Sequence, residues 1–349
     1  MHGEYKEPGH KMAVADLDIV DGKLTNVRIS GDFFIEPDTA LERITRAIEG
    51  LPPDSSAAEI RTAIEAGILP TDNMFGLSAA GVATAVRRAM GKALDWSDID
   101  FEVLHTPVIH PVLNMTMDET LPEAVAAGKH KPFMRIWEWD RPLVVMGSYQ
   151  SYENEINQAG VDKWGITVGR RITGGGTMFM EAGNCITYSL VVPQALVDGM
   201  SFQQSYPFLD AWVMEALKRV GVNATYVPLN DISSDKGKIG GAAQKHFASG
   251  YMVHHVTLSY DIDADKMLDV LNTGDAAKKN RGHRSANKRI DPMKSQTGMS
   301  REAIIDVFID TFKERYGATD GQITDEDLAI AQKRYEEKFS REEWIKRVP

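Results

Sequence analysis

Two arginines stand against three consecutive glycines in Arg170-Arg171-Ile172-Thr173-Gly174-Gly175-Gly176, followed by Thr177-Met178-Phe179-Met180-Glu181-Ala182-Gly183-Asn184. The run suits an anion. Three glycines cost backbone entropy and bury no side chain, so they are kept where main chain must approach something closely. Successive N–H groups in such a turn form a concave anion cradle, and an inward-pointing arginine adds a planar fork for phosphate or carboxylate. The alternative is a glycine-rich hairpin turn with two solvated arginines. Nucleotide-loop templates do not apply: no Gly-Lys-Ser/Thr stands at the GxxxxGK[ST] spacing, and Phe179 occupies the place of the last glycine of GxGxxG.

A second glycine-rich stretch runs from Asn230-Asp231 to Lys236-Gly237-Lys238-Ile239-Gly240-Gly241. Lys238 is the candidate catalytic cation, a point charge that can lie along a groove beside a phosphate or carboxylate. A surface loop with a solvated lysine is the competing reading, and the one that fits Lys236. Asp231 is either a Mg²⁺ ligand, since that ion takes one or two carboxylates with phosphate oxygens, or the start of an Asx turn. Together the two stretches suit attack of a carboxylate on the α-phosphate of ATP, where crowded negative charge must be neutralised. Three further residue sets are weighed. Cys185 invites thiol acyl transfer, but after Gly183-Asn184 on an apolar strand it reads as a small hydrophobe. His254 and His255 point to opposite faces of a strand, which argues against shared metal ligation and leaves one of them to line the site. Trp137 and Trp139 share a face, either of an apolar tunnel or of ordinary core.

The elements that must position these groups follow from periodicity. Ala13 to Ile29 alternates around Asp21-Gly22 as a hairpin, and helices fit Pro37–Glu49, Ala57–Ala66 and Ser78–Met90, giving a small α+β unit over residues 1–92. Beyond a linker at 93–100, Pro111–Ala127 and Phe202–Val220 read as helices. Phe133–Trp139, Leu143–Gly147, Ile166–Val168, Ile186–Val192 and His254–Tyr260 read as strands, an α/β domain over 101–324.

Composition narrows the function. Lys plus Arg number 39 against 50 Asp plus Glu, a net charge of −11, which argues against broad nucleic-acid or membrane-surface binding. A single cysteine leaves no disulfide framework or cysteine-rich zinc site. The polar start Met1-His2-Gly3-Glu4 and the lack of any apolar run of about 18 residues point to a cytoplasmic protein.

The chain resembles the lipoate–protein ligase A family. The resemblance rests on Trp137-Glu138-Trp139, Gly147-Ser148-Tyr149-Gln150-Ser151, Arg170-Arg171-Ile172-Thr173-Gly174-Gly175-Gly176, Gly183-Asn184, Asn230-Asp231, Lys238-Ile239-Gly240-Gly241 and His255-x-Thr257-Leu258, all in the family's order. It implies an α/β catalytic domain of the class II aminoacyl-tRNA synthetase and biotin-ligase type, with mixed sheets. It also implies an enzyme that activates lipoate with ATP and Mg²⁺ to lipoyl-AMP and passes the acyl group to a lysine of a lipoyl-domain protein. By resemblance Lys238 contacts both lipoate and nucleotide. Arg171, Gly176, Thr177, Met178, Phe179, Asn230 and Asp231 hold the nucleotide, and Thr173, Gly174, Gly175, Asn184 and His255 lie along lipoate. The family has serine where Thr173 stands and His-Asp where Met180-Glu181 stand, so polarity there is altered. Asn280 to Pro292, with Arg281, Arg284, Lys288 and Arg289, resembles the loop that orders over the adenylate; a flexible basic loop is the alternative.

Residues 1–92 resemble the family's accessory domain, which normally follows the catalytic domain. A circular permutation accounts for this order, with the tail 325–349 packing back on residues 1–92. Two rivals stand beside the ligase: an octanoyltransferase acting without ATP, and a non-catalytic lipoyl-carrier binding protein.

Overall fold

The computed structural model describes residues 1–6, 10–91, 96, 99–198, 200–272 and 290–348. It divides into two compact units, Met1–Ile99 with Gln194–Phe208, and Asp100–Pro193 with Leu209–Pro349.

In the smaller unit, strands Met12–Val20 and Lys23–Gly31 pair antiparallel, and His2–Lys6 adds to the first. Asp21 (φ 51°) and Gly22 (φ 69°) are both left-handed, the geometry a tight two-residue turn needs to match strand twist. Helices Thr39–Ile48, Ala57–Gly67 and Ala79–Ala89 share a core with this sheet, in which Leu24, Ile44, Ile48, Ile60 and Val86 are fully buried. Ser56 and Glu59 form a reciprocal capping box that starts the second helix. The unit also takes in residues 194–208, where Asp198 pairs with Arg87 and Phe208 lies 5.5 Å from Trp96.

The larger unit carries a mixed eight-stranded sheet in the order Thr225–Val227, Asp231–Ser233, Lys238–His246, Tyr251–Ser259, Cys185–Pro193, Phe133–Ile136, Glu102–His105, Thr319–Asp320. The first six are antiparallel neighbours and the last two joins are parallel. A second sheet sets Leu143–Met146 between Met178–Met180 and Thr167–Arg170, which places the glycine cradle at the crossing between two of its strands. These mixed sheets are the α/β architecture expected. Helix Pro111–Ala126 buries Met115, Leu121 and Val125. Trp212 meets Phe308 and Phe312 edge-on at 6.1 and 5.1 Å.

Two expectations are corrected. The helix read over 202–220 is two, Phe202–Leu209 and Ala211–Arg219, divided at Asp210, whose buried carboxylate takes hydrogen bonds from Tyr188 and Tyr226 and faces His254. The strand read over 133–139 ends at Ile136. Lys238–Gly241 starts a nine-residue strand, against the competing surface-loop reading. The tail falls within the larger unit. Its residues Arg334 and Lys338 both pair with Glu119 of helix Pro111–Ala126, at 2.9 and 2.7 Å, and Trp344 Nε1 donates to the Arg170 carbonyl at 2.9 Å. His130 bridges Glu102 (2.7 Å) and Asp327 (3.0 Å) at the tail's first helix. Among the described residues no helix is long and apolar enough to cross a membrane.

Candidate active site

Pairing register decides what faces the same way. Asp231 pairs with Gly241, Gly241 with Thr257 and Thr257 with Thr187, and Trp137 N donates to the Thr187 carbonyl at 3.0 Å. This row crosses the large sheet, and all five residues line one cavity of about 500 Å³. Opposite elements complete the wall with Val145, Gln150, Glu155, Arg171, Gly175, Gly176, Thr177, Met178 and Met180. The volume falls within the usual range for small-molecule sites.

Lys238 reaches across the strand to Asp231, Nζ to Oδ1 2.8 Å, with both side chains nearly buried. Gly241 leaves the room for this: a Cβ there would meet the Lys238 Nζ at 3.2 Å and Asp231 Oδ1 at 3.4 Å. Gly240 is required for a different reason, since its Cβ would stand 2.5 Å from the Thr257 carbonyl oxygen. Asn230 lines the cavity with its side chain donating to the Ala242 carbonyl at 2.7 Å. Asp291 N donates to the Lys238 carbonyl at 2.9 Å and Ile290 bridges to Lys238, so the basic segment ends beside the lysine. Its residues Asn280 to Arg289 lie outside the described residues.

The arginines serve the cradle itself. Arg170 is fully buried and donates to the carbonyls of Gly147 (2.9 Å), Gln150 (2.7 Å) and Ile345 (2.8 Å). Arg171 donates to the carbonyls of Gly174 (2.6 Å) and Gly176 (2.9 Å) and to Thr173 Oγ1 (2.9 Å). A guanidinium has five N–H donors, and these carbonyls take up much of each fork, so Arg171 braces the loop while it lines the cavity. Gly175 at φ 93° is left-handed, and a Cβ at Gly147 would lie 2.0 Å from its carbonyl oxygen. Glycine is needed at both.

Thr173 and His255 belong to a buried relay whose anchor was not read from the sequence. Asp118 Oδ2 lies 2.6 Å from His255 Nδ1, and His255 Nε2 lies 2.9 Å from Thr173 Oγ1. Asp118 Oδ1 accepts from Arg135 (2.8 Å) and Ser189 (2.6 Å), and Ser189 accepts from Trp137 Nε1 (2.8 Å). One carboxylate thereby ties the glycine loop to the Trp137 wall. Burial pushes the His255 pKa down against the pull of Asp118. Burial would raise that of Asp118, but the hydrogen bond from His255 and the charge of Arg135 outweigh it and hold the pKa below the ordinary range. Neutral His255 therefore donates from Nδ1 to Asp118 and accepts at Nε2 from the Thr173 hydroxyl, whose oxygen accepts from Arg171. The signal in the sequence was faint: Asn114 and Asp118 stand one turn apart on a helix that also carries Thr116, Glu119, Thr120 and Glu123.

Other candidates fall elsewhere. Asn184 is outside the cavity lining: its amide donates to Glu181 at 3.0 Å and its carbonyl accepts from Tyr260 and Asp261. Glu181 pairs with Lys266 at 2.5 Å. Gly174 also stands outside the lining, and Phe179 is buried on a small apolar pocket that shares Thr177, Met178 and Lys238 with the cavity. His254 turns to Asp210 on the opposite face, at 2.6 Å. Trp137 lines the cavity and Trp139 stays in the core beneath. Cys185 is fully buried, which pushes its thiol up to about 12. Thr177 Oγ1 lies within reach of Gln150 (3.0 Å), named in the sequence only within a motif, and of Glu155 (3.1 Å), which sequence reading passed over; both line the cavity.

Residues 110–313 match the family model "Lipoyl protein ligase A/B catalytic domain". The chain is 29% identical to lipoate–protein ligase 1 of Staphylococcus aureus over 68% of its own length and 70% of the relative's. It is 23% identical to the octanoyltransferase LipM of Clostridioides difficile, over 71% of this chain and 98% of that one. A solved structure of the bi-partite lipoate protein ligase of Thermoplasma acidophilum, from a study with its E2 lipoyl domain, superposes with a TM-score of 0.61 at 25% identity, over 72% of this chain and 98% of that one.

Proposed function

This chain belongs to the lipoyl protein ligase A/B family, and on that premise we propose that it is an ATP-dependent lipoate–protein ligase. The observation that carries the reading is the Lys238–Asp231 pair, at one end of a cavity whose wall then runs through Thr257 and Thr187 to Trp137. A cation at one end of a long slot suits an acid with an extended apolar tail.

In the first step a lipoate carboxylate oxygen attacks the α-phosphorus of ATP; a new P–O bond forms and pyrophosphate leaves. Lys238 offsets the charge that crowds there. Gly176, Thr177 and Met178 supply main chain along the nucleotide, braced by Arg171. In the second step the neutral ε-amine of an acceptor lysine on a lipoyl domain attacks the acyl carbon, AMP departs, and the amine sheds its proton. Asp231, with Glu155 on the same cavity, is the carboxylate suited to share Mg²⁺ with phosphate oxygens; that ion would supply further neutralisation. The smaller α+β unit is read as the accessory domain, placed ahead of the catalytic unit in a permuted order.

The octanoyltransferase relative makes the rival specific. Acyl transfer through a thiol would require Cys185, the chain's single cysteine, and its burial and raised pKa leave it a poor nucleophile. The decisive assay supplies lipoate, ATP, Mg²⁺ and a lipoyl domain and reads intact mass and pyrophosphate. A lipoyl mass increment that depends on ATP is expected. Transfer of octanoyl from an acyl-carrier thioester without ATP would replace the ligase reading, and carrier binding with no mass change would favour a non-catalytic role.

A further inference from the structure

The cavity has an unused hydrogen-bond donor near its far end. Thr187 is 1% exposed, and its Oγ1 lies 3.0 Å from Thr257 Oγ1. Neither hydroxyl has another partner among the described residues. Two hydroxyls carry two hydrogens and the pair uses one, so one O–H is left over on a wall that both residues line. The same cavity is lined by Trp137, Val145 and Met180, which offer no acceptor from their side chains beyond a weak thioether.

The register sets its depth. Gly241, beneath the Lys238 Nζ, and Thr187 are separated by two strand spacings, Gly241 to Thr257 to Thr187, or about 10 Å at roughly 4.8 Å each. An eight-carbon acid held by its carboxylate at Lys238 and laid across the strands brings the last carbons of its chain level with Thr187.

We propose that the Thr187–Thr257 hydroxyl pair selects the acyl chain, favouring an acid that carries an acceptor atom at its far end, such as the sulfurs of a dithiolane ring, over plain octanoate. This rests on the proposed acyl site. A dithiolane sulfur accepts the spare hydrogen weakly; the methyl end of octanoate leaves it buried and unpaired. The modest strength of sulfur as an acceptor sets the scale at about 5-fold in affinity.

The test measures binding of lipoate and octanoate by calorimetry to the full chain, to Thr187→Ser, to Thr187→Val and to the double variant Thr187→Val/Thr257→Val. ATP-dependent transfer to a lipoyl domain is followed in parallel, and the melting temperature checks each fold. The wild-type chain and Thr187→Ser should bind lipoate about 5-fold more tightly than octanoate. In Thr187→Val the ratio should fall, and in the double variant approach one, lipoate weakening and octanoate strengthening. A ratio unchanged in a folded double variant, or equal weakening of both acids, overturns the selection. Selective lipoate binding that responds to the variants with no ATP-dependent transfer upholds the selection and sinks the ligase reading instead. Binding of neither acid by the wild-type chain overturns both.

Discussion

The segments Arg170–Gly176 and Lys238–Gly241 look alike as sequence, each a cation beside glycines, yet they use charge in opposite ways. In the first, both guanidiniums turn back on main-chain carbonyls, Arg170 on residues 147, 150 and 345 and Arg171 on residues 174 and 176. In the second, the lysine extends over Gly241 to the cavity wall and meets Asp231. A tight loop with carbonyls turned inward demands forked donors, and arginine supplies them. A strand has its carbonyls paired already, so its lysine remains directed at the cavity. Charge beside glycine therefore marks a ligand site only where the backbone is otherwise satisfied.

The largest expected effect tests the second segment. Lys238→Ala should lower the rate of acyl-adenylate formation by roughly 10²–10³-fold, the scale for losing one charge-stabilising donor, with the melting temperature nearly unchanged. Pyrophosphate exchange measures the rate. An active Lys238→Ala chain would remove the lysine from the chemistry and erase the contrast.

Next is the first segment. Arg170→Ala should destabilise the fold by about 3 kcal/mol, because several buried carbonyls lose their donor together, and chemical denaturation reads it. Should Arg170→Ala unfold at the wild-type denaturant concentration and lose only nucleotide affinity, the arginine is an anion ligand after all.

How much was legible follows the same division. The Met12–Gly31 hairpin was readable because alternation and Asp21-Gly22 are local signals. Lys238, Asp231, Gly176 and His255 could be named from motif order, and all line the cavity. What the arginines do depends on carbonyls brought in from residues 147, 150 and 345, which no local spacing reveals. Asp118 was passed over because it acts through His255, 137 residues away. The division of the helix at Asp210 came from partners on strands at Tyr188, Tyr226 and His254, a tertiary override of an apolar pattern. The tail's partner Glu119 was equally illegible, since it stands on helix Pro111–Ala126, more than 200 residues away in sequence.

The comparison sharpens for two histidines with opposite pH signatures. His255, its pKa lowered by burial, contributes stability that is complete above its ordinary value of 6.5 and falls as pH drops below it, when the unfolded chain takes up a proton the folded one refuses. His130 is buried too, but Asp327 and Glu102 outweigh that burial and raise its pKa. Its contribution is complete below 6.5 and is lost as pH rises through the raised value. His255→Gln should flatten the acid limb of the melting-temperature profile, by roughly 2–4 °C between pH 7 and 5, and His130→Gln the alkaline limb. The two variants flattening the same limb would show that one of these protonation states is wrong.

The smallest effect concerns Cys185, the group that sequence alone makes most tempting as a nucleophile. Burial raises its thiol to about 12, so at neutral pH only a trace is thiolate, and its strand is paired on the Ser259 side with Arg301 donating to its carbonyl at 2.8 Å. No acyl carbon could reach it without opening that strand. Cys185→Ala should keep acyl transfer within about 3-fold of wild type and cost on the order of 1 kcal/mol from the lost sulfur volume. A native thiol titration should show no reaction until the chain unfolds. A loss of transfer near that of Lys238→Ala, with the fold intact, would move the chemistry to the thiol, make ATP dispensable, and turn the lysine into a carboxylate anchor.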